Sequence, residues 1–147
     1  MTVYFNNKKA RFDFEVLDEF EAGIELLGWE VKSIRAKTGN INGSWAKIRD
    51  GEIFLENLSL SPWKFSQGME QIERRSRKLL LHKQEIIRLE SKTNEQNVTV
   101  VPLKIFTHRG KIKCLLALGK GRKKHDKKQV LKERTQKREA QKMMKQF

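Results

Sequence analysis

The last 27 residues, 121–147, cannot build a core, and this leaves the fold to roughly the first 120. The stretch carries eleven Lys/Arg against three acids, Asp126, Glu133 and Glu139, a surplus of eight out of the chain's formal +14. It has no Gly or Pro after Gly121, and its large apolar residues are Val130, Leu131, Met143, Met144 and Phe147. A segment this charged does not collapse in water, so it is expected to be disordered or partly helical when free. A polyanion would supply the counter-charge that lets it order. Nucleic acid is the first partner this composition implies.

Length supports the same division. The 147 residues suggest one domain, 1–120, followed by a basic tail, 121–147. A pI near 10.1 with 34% charged residues favours a polyanion over an apolar partner. No apolar run approaches the roughly 18–20 residues of a spanning helix. The opening residues Met1 to Asn7 lack the charged-then-apolar layout of a signal peptide. The single cysteine, Cys114, rules out an internal disulfide and a multi-cysteine metal site. A cytoplasmic monomer without a cofactor is expected, with no membrane partner.

The body reads as strand. Even-numbered apolar residues from Phe12 through Val16, Phe20 and Ala22 to Leu26 give the period of a half-buried strand over 12–27. Gly23 within it predicts a bulge or bend. After Gly28 the period lengthens, with Val31 and Ile34 on one face, which predicts a short helix ending near Gly39. Asp50-Gly51 between alternating segments predicts a hairpin. Pro62 interrupts the run 58–65 and implies an edge or loop. Ile86, Ile87 and Leu89 predict a second helix over 83–92. Residues 98–106 and 111–118 predict another hairpin, turning at His108-Arg109-Gly110, with Ile112, Cys114, Leu116 and Leu118 on one face. Five or six short, mostly antiparallel strands would leave open edges unless the sheet closed on itself. The expected class is therefore mainly β: a closed, OB-like antiparallel barrel with two or three short helices.

Several segments, taken in order, resemble one family. They are Asn7-Lys8-Lys9-Ala10-Arg11, Phe20-Glu21-Ala22-Gly23-Ile24, Gly28-Trp29-Glu30-Val31-Lys32-Ser33-Ile34-Arg35 and Leu60-Ser61-Pro62. Arg77-Lys78-Leu79-Leu80-Leu81-His82-Lys83, Val101-Pro102-Leu103-Lys104, Leu118-Gly119-Lys120-Gly121, His125-Asp126-Lys127-Lys128 and Lys132-Glu133-Arg134 follow. Their order and spacing resemble the SsrA-binding protein (small protein B) family, the partner of transfer-messenger RNA (tmRNA) in trans-translation. The resemblance implies an OB-like barrel holding the tRNA-like domain of tmRNA. It also implies a tail that enters the decoding centre and empty message path of a stalled ribosome. The family often has His, Tyr, Thr, Pro and Arg where this chain has Phe12, Phe14, Trp29, Ser76 and Lys128. At Lys128 the charge is kept, but the planar fork that grips phosphate in two places is absent.

Residue types then suggest roles. Glu30, implicated in tmRNA binding by the resemblance, has three physical uses: accepting from a base amino group, orienting a neighbouring Arg, or stabilising the first turn of a helix. Asn7, Lys8, Lys9 and Arg11 form a basic arm suited to phosphate contacts. Lys32 and Arg35, and the cluster Arg77, Lys78, His82 and Lys83 with Arg74 and Arg75, extend the candidate tmRNA surface. Leu79-Leu80-Leu81 within that cluster reads as strand core. Among the tryptophans, Trp29 beside Glu30 has a better claim to stack on bases than Trp45 or Trp63, which read as core.

In the tail, Lys123, Lys124, His125, Asp126, Lys127, Lys128, Lys132 and Arg134 are the candidate decoding-centre residues, by resemblance. Ala140, Met143, Met144 and Phe147 fall at i, i+3, i+4 and i+7, one face of a helix formed on RNA. No enzyme is expected. Glu30-Val31-Lys32 with Asp18 has the spacing of some metal-dependent nucleases, but Glu30 reads as opening a helix rather than lying on a strand. His82, His108 and His125 are scattered, with no cysteine ligand or nucleophilic triad. The alternative is a generic single-strand RNA-binding or ribosomal OB-type protein.

Overall fold

The computed structural model describes residues 1–63, 70–95 and 97–145, and the side chains of all of these except 124–126 and 142–145. Along the chain run β1 (Thr2–Asn6), α1 (Lys8–Asp13), β2 (Phe14–Ile24), α2 (Gly28–Arg35), β3 (Gly39–Asn40), β4 (Trp45–Arg49), β5 (Glu52–Glu56) and β6 (Ser59–Leu60). Then come β7 (Arg77–Leu80), α3 (Lys83–Thr93), β8 (Val98–His108), β9 (Lys111–Gly121) and α4 (Lys124–Lys145). The chain is mainly β. Among the described residues there are more strands than the five or six the pattern predicts, because two-residue strands such as β3 and β6 carry no periodicity to read; the three short helices of the body are within the two or three expected.

Alternation explains the long strands. In β2, Phe20 and Ala22 are buried while Glu19 and Glu21 face out. They sit opposite Leu116 and Cys114 of β9, whose inward face also includes Leu118, as its pattern predicts. Both hairpins turn through two residues at positive φ, Asp50 (52°) with Gly51 (76°) and Arg109 (52°) with Gly110 (76°). This is the turn whose twist matches the strands, and Gly supplies one of its two positions without steric cost.

The strands pair antiparallel in the order β1-β8-β4-β5-β7-β2-β9, with β8 also paired to β9. Hydrogen-bonded neighbours therefore run from β8 through β4, β5, β7, β2 and β9 and return to β8. β3 and β6 form a separate two-stranded sheet. The bulge predicted at Gly23 lies elsewhere: the register of β2 on β9 shifts between Val16 and Asp18. Gly23 instead marks where β2 meets both β9, opposite Lys113, and β7, opposite Leu80. A Cβ there would sit 3.2 Å from the Leu80 Cβ, so this glycine permits a close approach of the two strands.

The main core gathers Phe20, Trp29, Ile34, Leu55, Leu79, Leu89, Ile105 and Leu116, among others, inside the sheet and under α2 and α3. Burying each such side chain contributes about 1.5–3 kcal/mol. A smaller cluster, Ala10, Val101, Leu103 and Ala117, holds α1 against the outer side of β8 and β9. Pro102 stands where the register of β8 shifts against β9, between Pro102 and Lys104, which spares a missing N–H donor.

Four local expectations change. The segment read as an arm before the first strand is preceded by β1 and is itself helix α1; Phe12 belongs to that helix and not to the strand. α2 ends at Arg35, and it buries Trp29, Glu30, Ser33 and Ile34 in place of a Val31–Ile34 stripe. Of the leucine triplet, Leu79 is core but Leu80 is 48% exposed, because β7 is a strand with alternating faces. The tail is a continuous helix, α4, of 22 residues. The run 58–65 holds β6 before Pro62, and Phe65 lies outside the described residues.

Candidate nucleic-acid interface

Glu30 stands at the third position of α2, and its Oε1 accepts from the Leu27 amide (2.7 Å), satisfying an orphan donor of the first turn. The same oxygen accepts from Arg75 Nη2 (2.6 Å), and Oε2 accepts from Arg77 Nε. Glu30 and Arg77 are both fully buried. Arg77 also donates to the carbonyls of Leu58 (2.7 Å) and Glu73 (3.0 Å), so α2, β7 and the strand-end loops meet at one charge pair. Burial by itself pushes the Glu30 carboxyl up, but the bonds from Arg75 and the Leu27 amide, together with the Arg77 charge, hold it below the usual carboxylate range. Burial draws the Arg77 guanidinium down, and Glu30 opposes that. Of the three uses open to Glu30, this geometry makes two, the first turn and the orientation of arginines. Its pairing with Arg75 and Arg77 is not the arrangement of a carboxylate converging with others on a metal.

Asn7 caps α1. Its Oδ1 accepts from the Ala10 amide (3.1 Å) and its Nδ2 donates to the Pro102 carbonyl (2.9 Å), with only 1% of the residue exposed. Lys8 and Lys9 are exposed and Arg11 half-buried, so the arm presents its cations from a fixed helix. Asp13 at the end of α1 reaches the root of the tail. Its carbonyl accepts from the Arg122 amide (2.9 Å), and its Oδ1 lies 3.1 Å from Lys127 Nζ. The Lys127 ammonium also stands 5.8 Å from the Phe12 ring centroid. The reason is register: Phe14 opens β2 opposite Gly121, which closes β9, so the helices before and after those strands are neighbours. Two basic segments far apart in sequence thus meet.

A groove of about 640 Å³ opens between β2, β7 and α3, lined by Glu21, Leu80, Leu81, His82, Glu85 and Lys113. It continues past Gly23 and Leu80 toward Arg35, Lys111 and Ile112. Glu21 Oε1 is 2.7 Å from His108 Nδ1 at its rim. Sequence reasoning found Arg35 and His82 here but missed Lys111 and Lys113. Their alternation with the inward Ile112 and Cys114 was the available signal.

The remaining candidates divide by exposure. Lys32, Arg35, His82, Lys83, Lys128, Lys132 and Arg134 are exposed, and Lys78 is half-exposed beside Glu52, 3.3 Å away. Lys123 is exposed, whereas the side chains of Lys124, His125 and Asp126 lie outside the described ones. So do those of Met143 and Met144, and Phe147 lies outside the described residues altogether. The ranking of tryptophans is reversed. Trp29 is core at 1% exposed, since α2 turns its 29/30/33/34 face inward, while Trp45 is 45% exposed. Trp63 is half-buried against the core, as its reading as core anticipated. No helix among the described residues is long and apolar enough to cross a membrane.

Comparison with known proteins accords with this layout. An SsrA-binding protein of Trichormus variabilis is 49% identical over 146 residues, covering 99% of this chain and 94% of the relative. One from Chlorobaculum tepidum is 46% identical over 143 residues, covering 97% and 91%. A solved chain reported as "tmRNA-SmpB: a journey to the center of the bacterial ribosome" superposes with a TM-score of 0.69 at 43% identity, covering 89% of this chain and 95% of the other. The family model described as SmpB protein matches residues 4–146, from β1 through the α4 tail, so the chain belongs to the SmpB family.

Proposed function

We propose that this chain binds the tRNA-like domain of tmRNA and delivers it to stalled ribosomes for trans-translation. The observation that carries the reading is the family match, which includes both body and tail and agrees with a solved tmRNA-SmpB chain at 43% identity. The body, 1–120, is the RNA-holding unit, and the circuit of strand pairings supports reading it as an OB-like closed barrel. Lys8, Lys9 and Arg11 on α1, with Lys32, Arg35, Lys78, His82 and Lys83 around the groove, neutralise tmRNA phosphates. Glu30, Arg77, Asn7 and Trp29 act beneath that surface, holding α2, β7 and α1 in place rather than touching RNA.

The tail, 121–147, reads the ribosome. As a helix α4 is a rod of roughly 33 Å, and all of residues 131–140 are exposed. A helix with so little packing is marginal in water, so in the free protein it frays toward disorder and is completed on RNA. Lys123, Lys124, His125, Asp126, Lys127 and Lys128 then enter the decoding centre. Lys132 and Arg134 belong to the same decoding-centre set, and the face of Ala140, Met143, Met144 and Phe147 follows the empty message path. Such work is done in the cytoplasm, without catalysis or a cofactor by this chain.

A binding competition between tmRNA and total tRNA at physiological salt, with full-length and truncated protein, tests the reading. Marked preference for tmRNA, kept by the truncated protein, supports it. Similar affinity for both RNAs would sink it in favour of a generic single-strand RNA-binding protein.

A further inference from the structure

The outer face of β4 carries an aromatic and two cations in a row. Its alternation turns Ala46 inward and leaves Trp45, Lys47 and Arg49 exposed. The Arg49 guanidinium lies 4.9 Å from the Phe54 ring centroid across the hairpin. Trp45 also lines a cleft of about 300 Å³ between β4, β8 and α1, with Lys9, Asp13, Phe14, Gly43 and Thr99. Lys9 thus reaches the cleft from one side, and Lys47 follows Trp45 on the same strand face.

Two of the nearby acids, Asp13 and Glu52, are already paired with other cations. Asp13 is engaged by Lys127 at 3.1 Å. Glu56, opposite Trp45 on β5, accepts from Ser76 Oγ at 2.7 Å, and Glu52 lies 3.3 Å from Lys78 Nζ. An indole that is 45% exposed and next to cations offers too little contiguous apolar surface for a protein partner, which would need an apolar core to its patch. A flat ring flanked by phosphate-seeking groups suits an unpaired nucleotide, whose base stacks while its backbone is neutralised.

We propose that Trp45 is a stacking platform for an unpaired RNA base, with Lys9 and Lys47 holding the flanking phosphates. The site rests on the proposed tmRNA function and adds to it a contact with a base face, beside the phosphate contacts of α1. Stacking of this kind does not read sequence, because every base has a π-face, but it does require a base outside a helix. The cleft therefore selects an unpaired nucleotide held close to the α1 phosphates.

The test uses full-length protein with two RNAs, a tRNA-like domain transcript of tmRNA and a fully paired RNA duplex of equal length. Wild type, Trp45→Phe and Trp45→Ala are compared by affinity and by tryptophan fluorescence, together with a Lys8→Gln/Lys9→Gln/Arg11→Gln variant. Because Trp45 is exposed, both substitutions should fold, which thermal melts followed by circular dichroism check. The tRNA-like domain should quench wild-type emission, with the quenched part missing in Trp45→Phe. The duplex should leave Trp45 emission unchanged. Trp45→Ala should weaken tRNA-like domain binding by roughly 5- to 100-fold, and Trp45→Phe by much less. Unchanged affinity in Trp45→Ala, or equal Trp45 quenching by the duplex, overturns the stacking site. If Trp45→Ala binds normally while the triple variant binds poorly, only the stacking site fails and the tmRNA-binding surface stands. If neither variant weakens binding, both the platform and the α1 surface are wrong.

Discussion

Charge is used in opposite ways by the body and the tail. At the junction of α2 and β7, Glu30 and Arg77 are fully buried, and both Glu30 oxygens and all three Arg77 nitrogens have hydrogen-bond partners. Along α4, every residue from 131 to 140 is exposed, and the hydrogen bonds there are local, such as Thr135 Oγ1 donating to the Leu131 carbonyl at 3.0 Å. The contrast teaches that a charged residue next to a family motif is not thereby a ligand contact. At the α2–β7 junction, charge holds elements together. Along residues 131–140 it is left on the surface.

The largest effect should come from removing the available charge. β9 extends through Gly121, and the Arg122 amide bonds to Asp13, so truncation after Lys123 leaves the sheet whole. That protein should bind tmRNA within a few-fold of wild type and show no peptide tagging on stalled ribosomes. Loss of tmRNA binding in a folded truncation would erase the division between body and tail.

Removing the buried charge should act on stability instead. Glu30→Gln leaves Arg77 buried without its counter-ion, a change that typically costs about 3–5 kcal/mol, readable by urea unfolding. Normal stability without RNA binding would instead make Glu30 a ligand contact and break the comparison. The same pair sets an acid dependence. Because the folded-state pKa of Glu30 is lowered, its contribution is fully present above the unfolded carboxylate value. Its loss should begin near about pH 4.3 and deepen as pH falls toward the lower folded value. Glu30→Gln should flatten that part of the stability–pH curve.

A smaller effect belongs to α1. Replacing Lys8, Lys9 and Arg11 with Gln should leave the melting temperature nearly unchanged. It should lower the slope of log affinity for tmRNA against log salt by roughly 0.7–0.9 for each phosphate that is no longer neutralised. An unchanged slope would place the phosphates elsewhere. The smallest concerns the hinge between the regions. The Asp13–Lys127 pair is partly solvent-exposed, so Asp13→Asn should cost less than about 1 kcal/mol. Amide exchange over residues 122–130 should nonetheless quicken while the body is unaffected. Unaltered exchange there would show that Asp13 does not tether the tail.

Much of the fold was legible because it depends on local rules. The hairpins at Asp50-Gly51 and Arg109-Gly110, the inward face of β9 and the existence of α2 and α3 follow from turn chemistry and period. α1 was legible in principle, since Asn7 three residues before Ala10 is an N-cap signal, but the same residues also fit a basic arm. The true bulge near Leu17 was not legible, because it depends on how β2 and β9 slide past each other. The candidate surface was half legible. Lysines and arginines are recognisable by type, but a motif does not tell that Arg77 points inward, that Trp29 is core, or that Lys113 borders a groove beside Leu80.

The sequence by itself determined the mainly β body, its two tight hairpins, the strongly basic tail and the resemblance to a single family. These rest on periodicity, turn residues and charge density, which neighbouring residues settle among themselves. Tertiary structure alone decided which charges are held inside and which are left exposed. It also decided that Trp45 rather than Trp29 is exposed, and that α1 and α4 meet. Burial is set by pairings between residues distant in sequence, Glu30 with Arg77 and Asp13 with Lys127, and those pairings exist only after the strands have come together.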